Sequence, residues 1–147
     1  MRRSLLALGA LALAGCSDPP RPPMCITVDT SCSPLYEPTF DNVWNDTLKG
    51  NCGSTNSSCH AAGGQGFMSL ADEDTAYDSL LGESHFDPPR ARVVPGDPSC
   101  SLMIVRTDSP GASYQMPIGT PLQAAERCAL IQWVACGAPG PGSSCTQ

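Results

Sequence analysis

Cationic and aromatic side chains are scarce in this chain of 147 residues. It holds eight lysines and arginines against fourteen aspartates and glutamates, which gives a formal net charge of −6 at pH 7. Aromatic residues make up only 5% of the chain. A protein with so few cations does not build the broad basic surface that holds nucleic acid or anionic lipid by charge. We therefore expect no nucleic-acid partner.

The sequence also lacks the residue sets that indicate common catalytic sites. It contains no Ser-His-Asp set, no paired carboxylates and no glycine-rich phosphate loop of the kind found in hydrolases and transferases. No second Cys/His pair stands at zinc-finger spacing, and no Cys-x-x-Cys lies on a βαβ pattern. Strand pairs with hairpin turns and internal repeats are missing as well. We expect a protein that is not an enzyme.

The N-terminus has the pattern of an export signal. Arg2 and Arg3 precede an apolar run over residues 5–15 that is too short to span a bilayer as a helix. The run ends in Leu-Ala-Gly-Cys, which resembles the bacterial lipobox and implies removal of residues 1–15 and lipid attachment to Cys16. Ser17 follows it, which by the usual sorting pattern indicates the outer membrane, with the protein facing the periplasm. An ordinary signal peptide with a coincidental cysteine is the alternative.

Composition divides the mature chain into three parts. The lipidated cysteine and a proline-rich stretch predict a membrane tether over residues 16–37. One domain follows over residues 38–139, and residues 140–147 form a Gly/Pro/Ser-rich tail. The mature chain has 132 residues (147 − 15), which suffices for one domain with a modest core.

Hydrophobic spacing and capping residues predict a small all-α domain of four short helices joined by long loops. The four are 38–51 with Thr39 as N-cap and Gly50 as the stop, 69–82 ending at Gly82, 96–107 with Asp97 as N-cap, and 120–137 with Thr120 as N-cap and Gly137 as the stop.

Eight cysteines remain once Cys16 is set aside, which is typical of an oxidising compartment. The number is even, as disulfide pairing requires, but spacing alone does not fix the connectivity. Three pairings are expected from position along the chain: Cys25–Cys32 as a small loop, Cys100–Cys128 between the last two helices, and Cys136–Cys145 holding the tail.

The order of motifs resembles that of c-type cytochromes. An aromatic-bearing helix leads to Cys52, Cys59 and His60, followed by "AAGGQGF", "VVPGDPSCSLM", "QMPIG" and a last helix ending "IQWVACGAP". The resemblance covers residues 40–139 and implies a disulfide-stapled, cytochrome c-like fold with a covalent haem c. In that family two cysteine thiols bind the porphyrin, the following histidine ligates the iron, and a methionine is the distal ligand.

Carried over to this sequence, Cys52 and Cys59 form the thioethers, and His60 and Met116 are the iron ligands. Trp133 on the last helix is expected to pack against Phe40 or Trp44. The implied function is a membrane-anchored, monohaem electron carrier of the cell envelope whose acidic surface docks a redox partner protein. Met68 and Met103 lie in apolar helical or flanking contexts, whereas Met116 lies in a Met-Pro loop between the last two predicted helices. His85 is a rival ligand, but its loop has no match in the family, and we expect it to be solvated.

The spacing of the two cysteines departs from the family pattern. Six residues, "GSTNSS", separate Cys52 from Cys59, where the usual site has two. These small polar residues suit a bulging loop. They equally suit a plain Cys52–Cys59 disulfide, which would make the protein a haem-free, cytochrome-like lipoprotein with a binding or structural role. Both interpretations remain open on the sequence.

Overall fold

The computed structural model describes residues 21–53 and 59–145. The predicted signal peptide and the predicted lipidation site, Cys16, lie outside these ranges, as does the middle of the Cys52–Cys59 loop. None of the helices within them is long and apolar enough to cross a bilayer.

Four helices and long loops make up the described residues. Helix α1 is continuous through an α-helical start, Phe40–Asn42, a π-helical middle, Val43–Leu48, and an α-helical end, Lys49–Asn51. The others are α2 (Glu73–Leu81), α3 (Leu102–Thr107) and α4 (Ala124–Ala135). Residues 21–53 and 59–145 contain no strand, and helices account for only 32% of the structure. A helical, loop-rich domain is thereby confirmed.

The first helix begins at its predicted N-cap, but the second begins later than its predicted range of 69–82. The hydroxyl of Thr39 accepts the N–H of Asn42 at 3.3 Å, which satisfies one of the first N–H groups of α1. The carboxylate of Asp72 does the same for Thr75 at 2.9 Å at the start of α2, and the helix ends at Gly82 as predicted. The stop predicted at Gly50 is wrong by one residue, because α1 continues to Asn51.

The last two helices begin later than predicted. Asp97 accepts the N–H of Cys100 at 3.1 Å, but it does so in a separate turn, and α3 begins only after Ser101. Likewise α4 begins after Gln123 rather than Thr120. There the N–H of Gln123 donates to the carboxylate of Glu126 at 2.8 Å in a capping box, which defines the helix start more strongly than threonine does.

The core forms where α1 and α4 pack together. Phe40 and Trp133 are fully buried, with ring centroids 5.3 Å apart, as predicted. Tyr77 of α2 adds an edge-on contact to Phe40 at 5.0 Å. The indole N–H of Trp133 donates to the carbonyl of Pro139 at 3.0 Å, so the largest buried side chain also has its polar group satisfied.

Three disulfides staple the domain, and two of the three expected pairings are wrong. Cys25 is bonded to Cys100 and Cys32 to Cys128, whereas Cys25–Cys32 and Cys100–Cys128 had been expected. The tail pairing is confirmed: Cys136 is bonded to Cys145. The two long-range bonds arise because the N-terminal segment runs across the ends of α3 and α4 and brings its cysteines to helices far away in sequence.

The segment before α1 therefore belongs to the folded body from residue 21 onward. Besides its two disulfides, it is held by backbone hydrogen bonds from Ile26 to Ser99 and from Leu35 to Ala125, both at 2.9 Å. The side chain of Gln132 on α4 also donates to the Cys32 carbonyl at 2.7 Å. Within the region predicted as a tether, residues 21–37 are fixed to the domain.

Candidate functional site

Cys52 follows the last turn of α1 and is partly buried. Its N–H donates to the Leu48 carbonyl at 2.9 Å, so the helical hydrogen bonding continues to Cys52. Burial raises the pKa of the Cys52 thiol to about 11, and the nearby carboxylate of Glu126 contributes to that rise. At neutral pH the group is therefore a thiol and not a thiolate.

Cys59 and His60 lie in a turn on which the following glycine-rich segment folds back. Gly66 donates its N–H to the Cys59 carbonyl at 2.7 Å, and Leu70 donates its N–H to the His60 carbonyl at 2.6 Å. Glycine is required at position 66, because a β-carbon there would overlap Cε1 and Nδ1 of the His60 ring. The glycine-rich stretch is visible in the sequence, but the sequence alone does not reveal that Gly66 is the glycine packed against the His60 imidazole.

The surroundings of His60 favour the neutral ring. Burial lowers the pKa of His60 below its ordinary value of 6.5, and the positive charges of Arg106 and Arg92 act in the same direction. A hydrogen bond with the backbone of Met68 opposes them. Neutral imidazole is the form that binds a metal, and ligating histidines commonly use their second ring nitrogen to hold a backbone carbonyl.

Met116 lies in the loop between α3 and α4, which the side chain of Gln115 organises. The Met116 N–H donates to the Arg106 carbonyl at 2.9 Å. Gln115 is buried; it donates to the Pro117 carbonyl at 2.9 Å and accepts the Gly111 N–H at 2.6 Å. Sequence reasoning missed Gln115, since a single glutamine in a loop carries no pattern that would reveal its contacts.

The four predicted site residues meet at two adjoining cavities. The cavities measure about 210 Å³ and about 400 Å³, and Cys52, His60 and Met116 line both of them. Cys59 lines the larger one. Cys52 and Met116 are 64 residues apart in the chain (116 − 52), so the fold and not sequence proximity gathers this set.

The smaller cavity has a mostly apolar lining with an exposed rim. His85 is exposed, as predicted, but it also forms part of this rim, with its ring 5.0 Å from that of Phe67. The lining further includes two methionines and a second phenylalanine: Met68, Met103 and Phe86. His85, the rival ligand considered from the sequence, therefore borders the same space as Met116, and so do Met68 and Met103.

Two arginines bring positive charge to this apolar cavity. Arg106 is half-buried, donates from Nε to the Tyr114 carbonyl at 3.1 Å, and lies with its guanidinium carbon 5.9 Å from the centre of the Phe86 ring. Arg92 donates to the Phe67 carbonyl at 3.0 Å. Burial lowers the pKa of both arginines, but guanidinium groups remain protonated in proteins.

These residues fit a covalently attached haem c. The two cavities together fall in the range of roughly 300–1,000 Å³ typical of cofactor sites, and the two arginines can oppose the carboxylates of a porphyrin. Within residues 21–53 and 59–145, no cluster of three or more His, Cys, Asp or Glu side chains could hold a bare metal ion. A metal bound by His60 and Met116 would have to bring its own equatorial ligands, as haem iron does.

Neither a protein-family model, nor a curated protein, nor a solved structure matches this chain.

Proposed function

We propose that this protein is a lipid-anchored, monohaem c-type cytochrome that carries single electrons in the cell envelope. The observation that carries the proposal is the convergence of His60 and Met116. They are 56 residues apart in the chain (116 − 60), yet they line the same two cavities. Cys52 borders both cavities and Cys59 the larger one, as attachment from the His60 side requires.

If haem is attached, Cys52 and Cys59 would supply the two sulfurs. Each would add across one vinyl group of the porphyrin, with an S–C bond formed and the thiol proton passed to the neighbouring carbon, so that no electron would be gained or lost. A Cys52–Cys59 disulfide, by contrast, requires an oxidant that removes two electrons and two protons.

His60 and Met116 then set the character of the site. Haem iron supplies a one-electron couple, and a methionine thioether as ligand raises its reduction potential. His60 binds through a ring that its surroundings hold neutral, and Gly66 lets the chain pass directly behind that ring. Gln115 fixes the Met116 loop, so the ligand is pre-positioned by buried hydrogen bonds.

Two independent features support the proposed envelope location. The lipobox-like sequence ends at Cys16, and three disulfides join Cys25 to Cys100, Cys32 to Cys128 and Cys136 to Cys145. Such bonds persist in oxidising compartments. The net negative charge favours a redox partner protein with a basic docking surface, and the lipid anchor keeps the carrier on the membrane, in the outer membrane and facing the periplasm.

The test is the pyridine haemochrome spectrum of protein made in a bacterial periplasm that contains the c-type maturation proteins. A c-type α-band that stays with the protein through acidified acetone is the expected result. Colourless protein without reactive thiols, obtained also from the native host, would contradict the proposal. It would leave the haem-free, disulfide-bonded lipoprotein in its place.

A further inference from the structure

The chain enters the folded body at a fixed place, beside the loop over residues 83–91. The guanidinium of Arg21 donates to the Asp87 carbonyl at 2.6 Å. From within the loop, Arg90 donates to the Pro22 and Met24 carbonyls at 3.3 and 2.6 Å. The Cys25–Cys100 disulfide follows immediately and fixes the segment covalently.

The same loop forms the mouth of the smaller cavity. His85 and Phe86 line that cavity directly. The exposed ring of Phe67 stands against His85 at the rim. Ser84 connects this mouth to Arg90 at the point of chain entry. Its N–H donates to the Arg90 carbonyl at 2.7 Å, and its hydroxyl accepts the Arg90 N–H at 3.0 Å. The point of chain entry and the cavity mouth are therefore neighbours.

The distance from a lipid on Cys16 to this point is short. Four residues separate Cys16 from Arg21 in the sequence, and the five Cα–Cα steps between them span at most about 18 Å in any conformation. A folded body of this size has a radius of gyration of about 14 Å and is therefore roughly 36 Å across. An anchor at Cys16 thus cannot let the opposite side of the domain rest on the bilayer.

The surface around the entry point suits a lipid interface. Met24 and Phe67 are large apolar side chains that are 66% and 67% exposed. The mature chain has six basic residues (8 − 2), and four of them gather at the entry point and the cavity: Arg21, Arg90, Arg92 and Arg106. Glu83 and Asp87 lie in the same loop and Asp18 lies between Cys16 and Arg21, so the local balance is positive by one (4 − 3), although the protein as a whole is acidic.

We propose that the cavity mouth formed by Phe67 and the 83–91 loop faces the lipid surface that holds the Cys16 anchor. This orientation rests on the lipid anchor of the proposed function, but not on haem. Phe67 and Met24 enter the headgroup region, where Arg21 at the entry point adds positive charge toward anionic headgroups. The opening at His85 then serves partners held in the membrane, whereas the rim of the larger cavity, at Ile118, stays accessible from the aqueous side.

The test is hydrogen–deuterium exchange on the full lipidated protein in vesicles of phosphatidylethanolamine and phosphatidylglycerol. The reference is the unlipidated mature chain, exported with an ordinary signal and mixed with the same vesicles. We expect several-fold slower exchange over residues 64–68 and 83–92 in the lipidated protein, and equal exchange over residues 140–145 in both. Uniform exchange, or protection of the tail instead, would overturn the orientation.

A matched pair of variants separates the apolar contact from a general effect of charge. Phe67→Asp is expected to abolish the protection over residues 83–92, and Leu35→Asp, at a side chain that is 56% exposed elsewhere on the body, to preserve it. Equal effects of the two variants would overturn the proposal. Intact mass is measured first: absence of the lipid overturns the anchor and the orientation together, whereas a lipidated protein without protection overturns the orientation alone.

Discussion

Gly66 lies so close to the imidazole of His60 that a β-carbon on Gly66 would overlap the ring atoms Cε1 and Nδ1. We predict that Gly66→Ala displaces the ring and lowers the haem content of the purified protein several-fold. Gly140→Ala is the matched control, because a β-carbon there meets only the Tyr77 ring at an ordinary contact distance of 3.4 Å and Gly140 lines neither cavity. Full haem content in Gly66→Ala would show that haem attachment does not depend on the position of the His60 ring against Gly66.

Met116→Ala is expected to leave covalent haem in place but to remove one axial ligand. The iron should change from low spin to high spin, and its reduction potential should fall, because the soft thioether is lost. Absorption spectra and a redox titration measure both changes. Met24→Ala is the control, since its side chain is exposed and lines neither cavity. A low-spin spectrum in Met116→Ala would indicate that another side chain of the cavity, Met68, Met103 or His85, is the ligand.

The raised pKa of Cys52 predicts how the haem-free chain reacts with alkylating agents. Only the thiolate reacts, so labelling of Cys52 by iodoacetamide should rise with pH toward a midpoint of about 11. Glu126→Gln should lower that midpoint by removing a neighbouring negative charge, whereas Glu83→Gln should not. Peptide mass spectrometry after timed labelling gives the midpoints, and identical values in all three proteins would contradict the assigned cause.

The same shift has a consequence for stability with a definite sign. The folded pKa of Cys52, about 11, lies above the ordinary value of 9.0, so the folded state holds the proton more tightly. The protonated Cys52 thiol therefore contributes fully to the free energy of unfolding below pH 9, and this contribution is lost as the pH rises toward 11.

The disulfides are expected to differ in their contribution to stability. Cys25 and Cys100 are 75 residues apart, and Cys136 and Cys145 only nine. In the chain-entropy description the longer loop contributes about 2 kcal/mol more to the free energy of unfolding. Replacing each pair by serines and comparing denaturant midpoints tests this. Equal losses would indicate that the reduced, unfolded chain retains structure around Cys25.

What the sequence predicted well was encoded locally. The N-cap at Thr39 and the end of α2 at Gly82 follow from capping chemistry within one turn of helix. The contact of Trp133 with Phe40 was implied by the resemblance to a family. The start of α4 was missed, because Gln123 caps the helix only through its reciprocal contact with Glu126.

The disulfide partners could not be predicted, because they depend on the path of the segment over residues 21–37 across the body. Cys25 meets Cys100 only once that segment is in place, and no spacing rule contains this information. The positions of Arg106 and Gln115 depend in the same way on tertiary contacts. Met116, by contrast, was found through the resemblance of its motif to a family, and its place beside His60 is a property of the fold.

The π-helical middle of α1 gives this helix one residue more than an ordinary α-helix with the same direction at its two ends. Across Val43–Leu48 the helix is wider, and the N–H of Lys49 reaches back five residues to the Trp44 carbonyl. Deletion of one residue here would restore ordinary α-helical bonding and remove that extra residue, so Phe40 and Cys52 would nearly keep their directions. Insertion of one residue in the α-helical end, Lys49–Asn51, would instead turn Cys52 by roughly 100° about the helix axis and away from the cavities. Length variants of α1 should therefore tolerate a deletion in its π-helical part better than an insertion after it.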